Sequence, residues 1–328
     1  MTSPAAPDDP ARELRQLVDA GRYREALDAH QRVGGHHPRG PEAELLAATA
    51  ATRIGDLGTA VTLAETALEL FRVRADTDGR MRASNLLGAI AFEHGRLDDA
   101  DRCFGEALEL ARALDDTRMA AHASNNLASV AHLQSRPDLA LSLYRSALLA
   151  YQRLGDRRGT AQTYHNLGLA FRQQEAWDDA DAAALQAVRH AEEVGDGALL
   201  ALAVTGRSES HIERGELDLA RQELVRAEKL SVQSHDEVGL VEARRLEALL
   251  ALKSGKLEDA AGQALAARMA AEKLGILQMQ AECAGLLAQA LRRLGRKVEA
   301  DEYRAEALGL FERLGATRLK EDLERLLR

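Results

Sequence analysis

Paired carboxylates are the first chemistry the sequence offers. Asp98-Asp99, Asp115-Asp116 and Asp178-Asp179 each set two acids side by side. Such a pair, joined by a third acid on the next turn, can hold a divalent cation in an all-α synthase. Here that third position is Arg102 after the first pair and Ala182 after the last, so the pairs read as helix starts and turn residues. His36-His37 could take a metal, but their surroundings read as solvated loop. His122 and His132 lie ten positions apart on one predicted helix, too far for ligands spaced i, i+4. Cys103 and Cys283 read as small reduced hydrophobes, and nothing pairs them in a disulfide scaffold or metal site. Trp177 reads as packing between repeats. No glycine-rich phosphate loop occurs. The expectation is a chain that is not an enzyme, with no catalytic residues, metal or cofactor.

The elements that would position any such group repeat. A six-residue word, usually opening with Gly and ending in Ala, runs Gly55 to Ala60, Gly95 to Ala100, Ser135 to Ala140, Glu175 to Ala180, Gly215 to Ala220, Gly255 to Ala260 and Gly295 to Ala300. The final alanines recur at one fixed interval through the whole series. A second alanine follows seven positions on, at Ala67, Ala107, Ala147, Ala187, Ala227, Ala267 and Ala307. An earlier copy spans Gly21 to Ala26. A period of about 40 residues means stacked repeats, each too small to bury its own apolar face.

Composition agrees. Hydrophobic residues are 46% of the 328, largely Ala and Leu, and six prolines leave room for long helices. The class is therefore all-α. A net charge of -9 opposes a general nucleic-acid or anionic-membrane role. No apolar run approaches the length of a membrane span, roughly 18 residues. Met1 to Pro10 lacks a secretory pattern and reads as a disordered lead. A cytoplasmic location follows as an expectation.

One repeat carries the physics. Met81, Leu86, Leu87, Ile90 and Ala91 fall at helical spacing, and Gly95 ends that helix. Asp98 and Asp99 fall at the start of the next helix, placed to cap its amides and meet its dipole. Ala100, Phe104, Ala107, Leu108 and Ala111 then form one stripe. Gly88, Ala100 and Ala107 let the helices approach, and Phe104 fills the space beside them. In the last copy Arg304 replaces that filler.

Leu87-Gly88, Ala100, Phe104 and Ala107 give a spacing that resembles the tetratricopeptide repeat. The usual unit of about 34 residues is extended to about 40, a form similar to bacterial regulatory repeat proteins and the kinesin light chain. The resemblance implies a right-handed superhelical solenoid of about eight helix-turn-helix pairs, starting near residues 11, 42, 80, 119, 159, 198, 238 and 278. Its expected organisation is a lead over 1–10, a solenoid over 11–316 and a capping helix over 317–328, where Leu319, Leu323, Leu326 and Leu327 stand among charges.

The resemblance also implies a concave groove, lined by the first helix of each pair, that receives peptide segments. Counted from the packing Gly or Ala, the groove positions hold Asn85, Phe92 and Glu93, then Asn125, Asn126, Ser129 and His132. Next come His165, Asn166, Arg172 and Gln173, then Glu209 and Glu213, and finally Arg245, Lys253, Arg292 and Arg293. Asparagine offers a donor and an acceptor together, which suits an extended main chain. The expected function is a non-enzymatic scaffold for a protein or peptide segment. The alternatives are a peptide-sensing regulator acting on a separate output chain, and a homo-oligomeric structural protein with a homodimer as its candidate assembly.

Overall fold

The computed structural model describes residues 10–33 and 40–327. His36 and His37 lie outside them, as does the predicted lead apart from Pro10, which is already the first residue of a helix. Seventeen helices and no strand are found among the described residues. In chain order they are α1 (Pro10–Asp19), α2 (Tyr23–Val33), α3 (Pro41–Arg53), α4 (Leu57–Val73), α5 (Thr77–Glu93), α6 (Leu97–Ala113), α7 (Thr117–Leu133), α8 (Pro137–Arg153) and α9 (Arg157–Gln173). There follow α10 (Trp177–Val194), α11 (Gly197–Glu213), α12 (Leu217–Gln233), α13 (Glu237–Lys253), α14 (Leu257–Leu274), α15 (Leu277–Arg293), α16 (Lys297–Arg313) and α17 (Thr317–Leu326). Eight pairs and a final helix make an all-α solenoid.

The repeat has two halves of equal length. From α4 to α16 the helices are uniform: most match the 17 residues of α4, while α10 and α14 have 18 residues. A corner of two or three positions separates each from the next. Each corner holds one residue of positive φ, and these recur every 20 positions from Gly55 to Gly315. Glycine supplies most of them because it lacks a Cβ. Ala75, Asp115, Ser135, Glu175 and His235 adopt the same backbone without that advantage. The corner between repeats escapes a search for the Gly-to-Ala word, since its residue type varies from copy to copy.

The caps differ from expectation. Asp98 and Asp99 lie inside the first turn of α6, whose N-cap is Arg96 with no side-chain bond. From inside that turn they meet the positive end of the helix dipole. Apart from Asp56, which caps α4 by accepting from the Thr59 amide, the capping acids stand before the first helices instead. Asp76, Asp116, Asp156, Asp196 and Asp236 accept from the amides of Gly79, Met119, Gly159, Leu199 and Gly239. Each closes the free N-terminus of its helix, an arrangement worth about 1 kcal/mol over alanine.

The motif alanines are the contact points. None of those from Ala60 to Ala307 exceeds 3% exposure. A Cβ on Gly88 would lie 2.6 Å from the Phe104 ring, and one on Gly159 would lie 2.5 Å from Tyr151. The same exchange of bulk runs across repeats. Gly79 faces Phe71, whereas the equivalent positions elsewhere are Met119 with Ala111 and Leu199 with Ala191. In these pairs one partner is large and either can be, whereas Gly239 with Ser231 keeps both small. In the last pair the filler is Tyr303, packed among the core leucines, so Arg304 is displaced by one position from that role.

The chain divides into two compact units, residues 1–127 and 128–328. In the first, Leu14, Ala26, Ala29, Ala43 and Ala50 form one core, and Leu45, Ala67, Phe71 and Ala83 another. In the second, Leu323 of α17 and Leu327 at its C-cap pack with Leu310, Phe311 and Ala316. Leu323 also covers Gly285 of α15, 3.1 Å from where a Cβ would stand.

Candidate functional site

The first helices present their predicted groove positions in rows, because the repeat returns the same helix face at each copy. In the first unit that row is mostly neutral. Asn126 of α7 donates from Nδ2 to Oδ1 of Asn85 on α5 at 3.4 Å. Asn125 is only 5% exposed and faces the packing rather than solvent. Glu93 is exposed at the end of α5. One turn nearer the helix starts, Glu42 of α3 takes both Arg15 of α1 and Arg82 of α5.

In the second unit the row is a chain of charges. Arg172 of α9 pairs with Glu209 of α11 at 2.7 Å and also donates to the Gly206 carbonyl at 3.0 Å. Glu209 continues to Arg245 of α13 at 3.3 Å. Arg245 in turn takes Glu242 at 2.6 Å and Glu282 of α15 at 3.3 Å. Farther along the same helices Glu213 meets Lys253 at 2.9 Å, and Arg293 donates to the Leu252 carbonyl. The row thereby joins each repeat to the next. Arg172 and Arg245 have side chains about one-tenth exposed, so these pairs are shielded from solvent. Removing one partner from such a pair typically costs about 3–5 kcal/mol.

The surroundings shift the titrations. Burial pushes the Glu209 carboxyl up, but the guanidiniums of Arg172 and Arg245 overcome it and bring the group down to about 2. Glu282 shares one arginine with two other carboxylates, so burial wins there and its carboxyl is raised. His165 packs against Gly206, where a Cβ would stand 2.8 Å from its ring. Burial, then the Arg172 charge, lowers His165 to about 4. His132 is likewise lowered to about 4 by burial, with Arg172 and Arg318 adding to it.

At the end of α9 the row meets the last helix. Arg318 of α17 donates to the main-chain carbonyl of Gln173 at 2.7 Å, across 145 residues of sequence. Beside this contact two sealed polar atoms, His132 Nδ1 and Gln173 Oε1, find no hydrogen-bond partner. Unpaired buried groups of this kind cost roughly 1–3 kcal/mol each.

Within the second unit the structure thus brings together His132, His165, Arg172, Gln173, Glu209 and Glu213 from the sequence expectation, and Asn166 lies half-buried on the same helix as Arg172. Sequence reasoning missed Glu242, Glu282 and Arg318. The two glutamates carry a signal, since they stand one repeat apart and six positions before their packing alanines. Arg318 carries none, because its partner is distant in the chain. Among the described residues no three His, Cys, Asp or Glu side chains converge as metal ligands, and no helix is long and apolar enough to cross a membrane.

Comparison with known proteins adds the lineage. Solved structures of similar fold include the Rap conjugation gene regulator of plasmid pLS20 in complex with the Phr* peptide, at TM-score 0.70 and 14% identity, covering 95% of this chain and 96% of that one. NprR in complex with its cognate peptide NprX matches at TM-score 0.65 and 14% identity, over 96% and 98% of the two chains. Aspartyl phosphate phosphatase F from Bacillus subtilis matches at 0.57 and 12%, over 99% and 96%. At these identities the likeness is one of fold. No curated protein matches the chain in sequence. Tetratricopeptide repeat models match residues 12–78, 45–101, 79–148 and 116–193, together more than half the chain. With helix pairs, corner glycines and packing alanines in the same register, the chain belongs to the tetratricopeptide repeat family.

Proposed function

We propose that this protein is a non-catalytic scaffold that binds a peptide or protein segment on the first-helix face of its second unit. The observation carrying this reading is the unbroken polar row from α9 to α15, built from side chains that successive repeats hold in fixed positions. The charges of that row hold one another and fix the spacing of the helices, and neutral side chains carried beside them at regular intervals suit an extended main chain. Asn166, His165 and Gln173 supply neutral groups for that chain, and the charges around them set preference. The peptide complexes of NprR and the pLS20 Rap regulator support the reading by analogy of fold. Among similarly folded proteins one is a phosphatase, so the absence of catalysis belongs to this proposal and not to the fold.

The test is affinity capture from the native cell lysate with mass spectrometry, repeated with Asn166→Ala combined with Gln173→Ala. The expected outcome is loss of the captured partner with a melting curve close to wild type. Capture unchanged by the double variant would remove the second-unit face as the binding surface. A regulator acting through a separate output chain is the second reading, favoured by the contact of α17 with α9, which gives the face something to move.

A further inference from the structure

In the second unit each first helix also has a face turned away from the polar row, toward the second helices on its two sides. The repeat lets these faces be compared position by position. On α9 the face carries Leu167 and Phe171, which pack with Tyr144 and Ala183. On α15 it carries Leu287 and Leu291, which pack with Ala264 and Tyr303. On α11 it carries Arg207 and His211, and charges span the gap. Arg207 meets Asp181 of α10 at 4.0 Å and Glu223 of α12 at 2.7 Å. Arg226 of α12 then takes Glu192 of α10 at 2.6 Å.

On α13 the matching positions are Glu247 and Ala251, and those of the Arg226–Glu192 bridge are Ala266 and Val232. Neither leucines nor ion pairs fill this gap. An open groove of about 630 Å³ runs between α12 and α14, with Glu247 and Ala251 on its floor, Val225 on one wall and Gly262 on the other. A Cβ on Gly262 would meet nothing within 4 Å. Val225 is 62% exposed, and Val232, two turns along the same face of α12, is 56% exposed. Glu247 is partly buried and makes no ion pair among the described residues. Burial raises its carboxyl, Glu228 adds to this, and Arg244 opposes it. Arg221 and Lys256 also line the groove, balanced by Glu258 and Asp259. The floor acid is thus the charge this groove withdraws from water without a partner.

The neighbouring groove shows what fits such a place: an arginine lying between the two walls, its guanidinium on acids. Over α13 the acid belongs to the floor and the cation is not supplied by the chain. We propose that the groove between α12 and α14 is a second docking site, which takes an arginine side chain carried on a segment of a partner protein. The arginine stem lies along Val225 and Ala251, and the planar guanidinium takes both oxygens of Glu247. An apolar side chain next to the arginine covers Val232. Glu247 and Arg245 are on different faces of α13, so this site goes beyond the first-helix face and does not depend on it.

The test uses the immobilised full chain and two pools of decapeptides with random apolar residues, one with a central arginine and one with citrulline, its neutral isostere. The wild type retains the arginine pool about fivefold better, as a partly buried charge pair should give. Glu247→Gln and Ala251→Phe each lose the preference, the second because it fills the groove with the ring that α9 carries at Phe171. Asn166→Ala combined with Gln173→Ala keeps it. Equal retention of the two pools by the wild type, or of neither, overturns the site. So does a preference that survives Glu247→Gln, a variant that keeps the side chain's shape and decides the matter should Ala251→Phe fail to fold. A preference lost in the Asn166 and Gln173 double variant moves the arginine to the first-helix face and likewise overturns it.

Discussion

The two units join their central first helices with different polar chemistry, although Glu42 with Arg15 and Arg82 makes a more exposed charged link at the start of the first unit. In the first, α5 and α7 meet through a neutral amide contact, Asn126 to Asn85 at 3.4 Å. In the second, α9, α11, α13 and α15 are joined by arginines and glutamates largely hidden from solvent. The apolar framework is the same in both, down to alanines of zero exposure at Ala107 and Ala147. The difference shows that the repeat fixes where helices touch and leaves the character of the face free. A neutral contact is tolerant and salt-insensitive. A buried charge row fixes register tightly, and its loss is costly in proportion.

The largest effect should come from breaking that row at its centre. Glu209 serves both Arg172 and Arg245, so Glu209→Gln leaves Arg172, only 9% exposed, without a counter-charge. The expected loss is about 3 kcal/mol. Trp177 is the sole tryptophan and lies in the second unit, so its fluorescence in a urea titration reads that unit directly. A loss under about 1 kcal/mol would mean the row contributes little beyond its own desolvation.

Acid should separate the units next. His132 and His165 take up protons less readily folded than unfolded, with values near 4 against the ordinary 6.5. Stability therefore begins to fall as pH drops below 6.5 and keeps falling to about 4. Each histidine accounts for about 2 kcal/mol by pH 5. Glu209 acts lower: its contribution is complete above 4.5 and is lost from there toward 2. Glu282, raised by burial, works in the opposite sense and stabilises the fold while protonated. In the first unit His94 and His122 are also lowered, but both are exposed and screened by solvent. Trp177-detected stability should thus drop between pH 7 and pH 5, and His132→Gln with His165→Gln should flatten that slope. An unchanged slope in the double variant would assign the acid sensitivity elsewhere.

Packing should not distinguish the units at all. Ala107→Leu and Ala147→Leu each insert three heavy atoms where the neighbouring helix leaves no room, at a cost of about 1.5 kcal/mol. Matching losses in thermal melts would show that the shared framework is energetically shared. A neutral result at either site would mean the helices there can part.

That framework was legible because it rests on volume. Glycine and alanine recur wherever two helices must nearly touch, and the repeat interval follows from two helices of equal length and two corners. Features set by backbone conformation were harder. The corner at Ala75, Asp115 and His235 needs only a left-handed residue, and no single side chain announces it. The capping aspartates share the period of the repeat, yet Asp115-Asp116 reads as one pair although only Asp116 caps. On the polar face, helical register placed Arg172 and Glu209 toward a ligand. It could not tell that they hold each other, because the pairing depends on the offset between neighbouring repeats. Arg318 was invisible for a stronger reason: its partner lies far away in the chain and is a main-chain atom.

The smallest effect sharpens the comparison most. Asn126→Ala removes one long hydrogen bond between partly exposed amides, and Asn85 can turn to water instead. Its cost should be about 0.5 kcal/mol, at the low end for a neutral pair. Against the loss expected at Glu209, that ratio measures how far the second unit is the more rigid of the two. Amide exchange read along α5 and α7 in the variant should stay near wild-type rates. A large rise there would mean that the asparagine contact organises the first unit as the charge row organises the second. In that case the neutral character of the first face would be a matter of charge alone and not of tolerance.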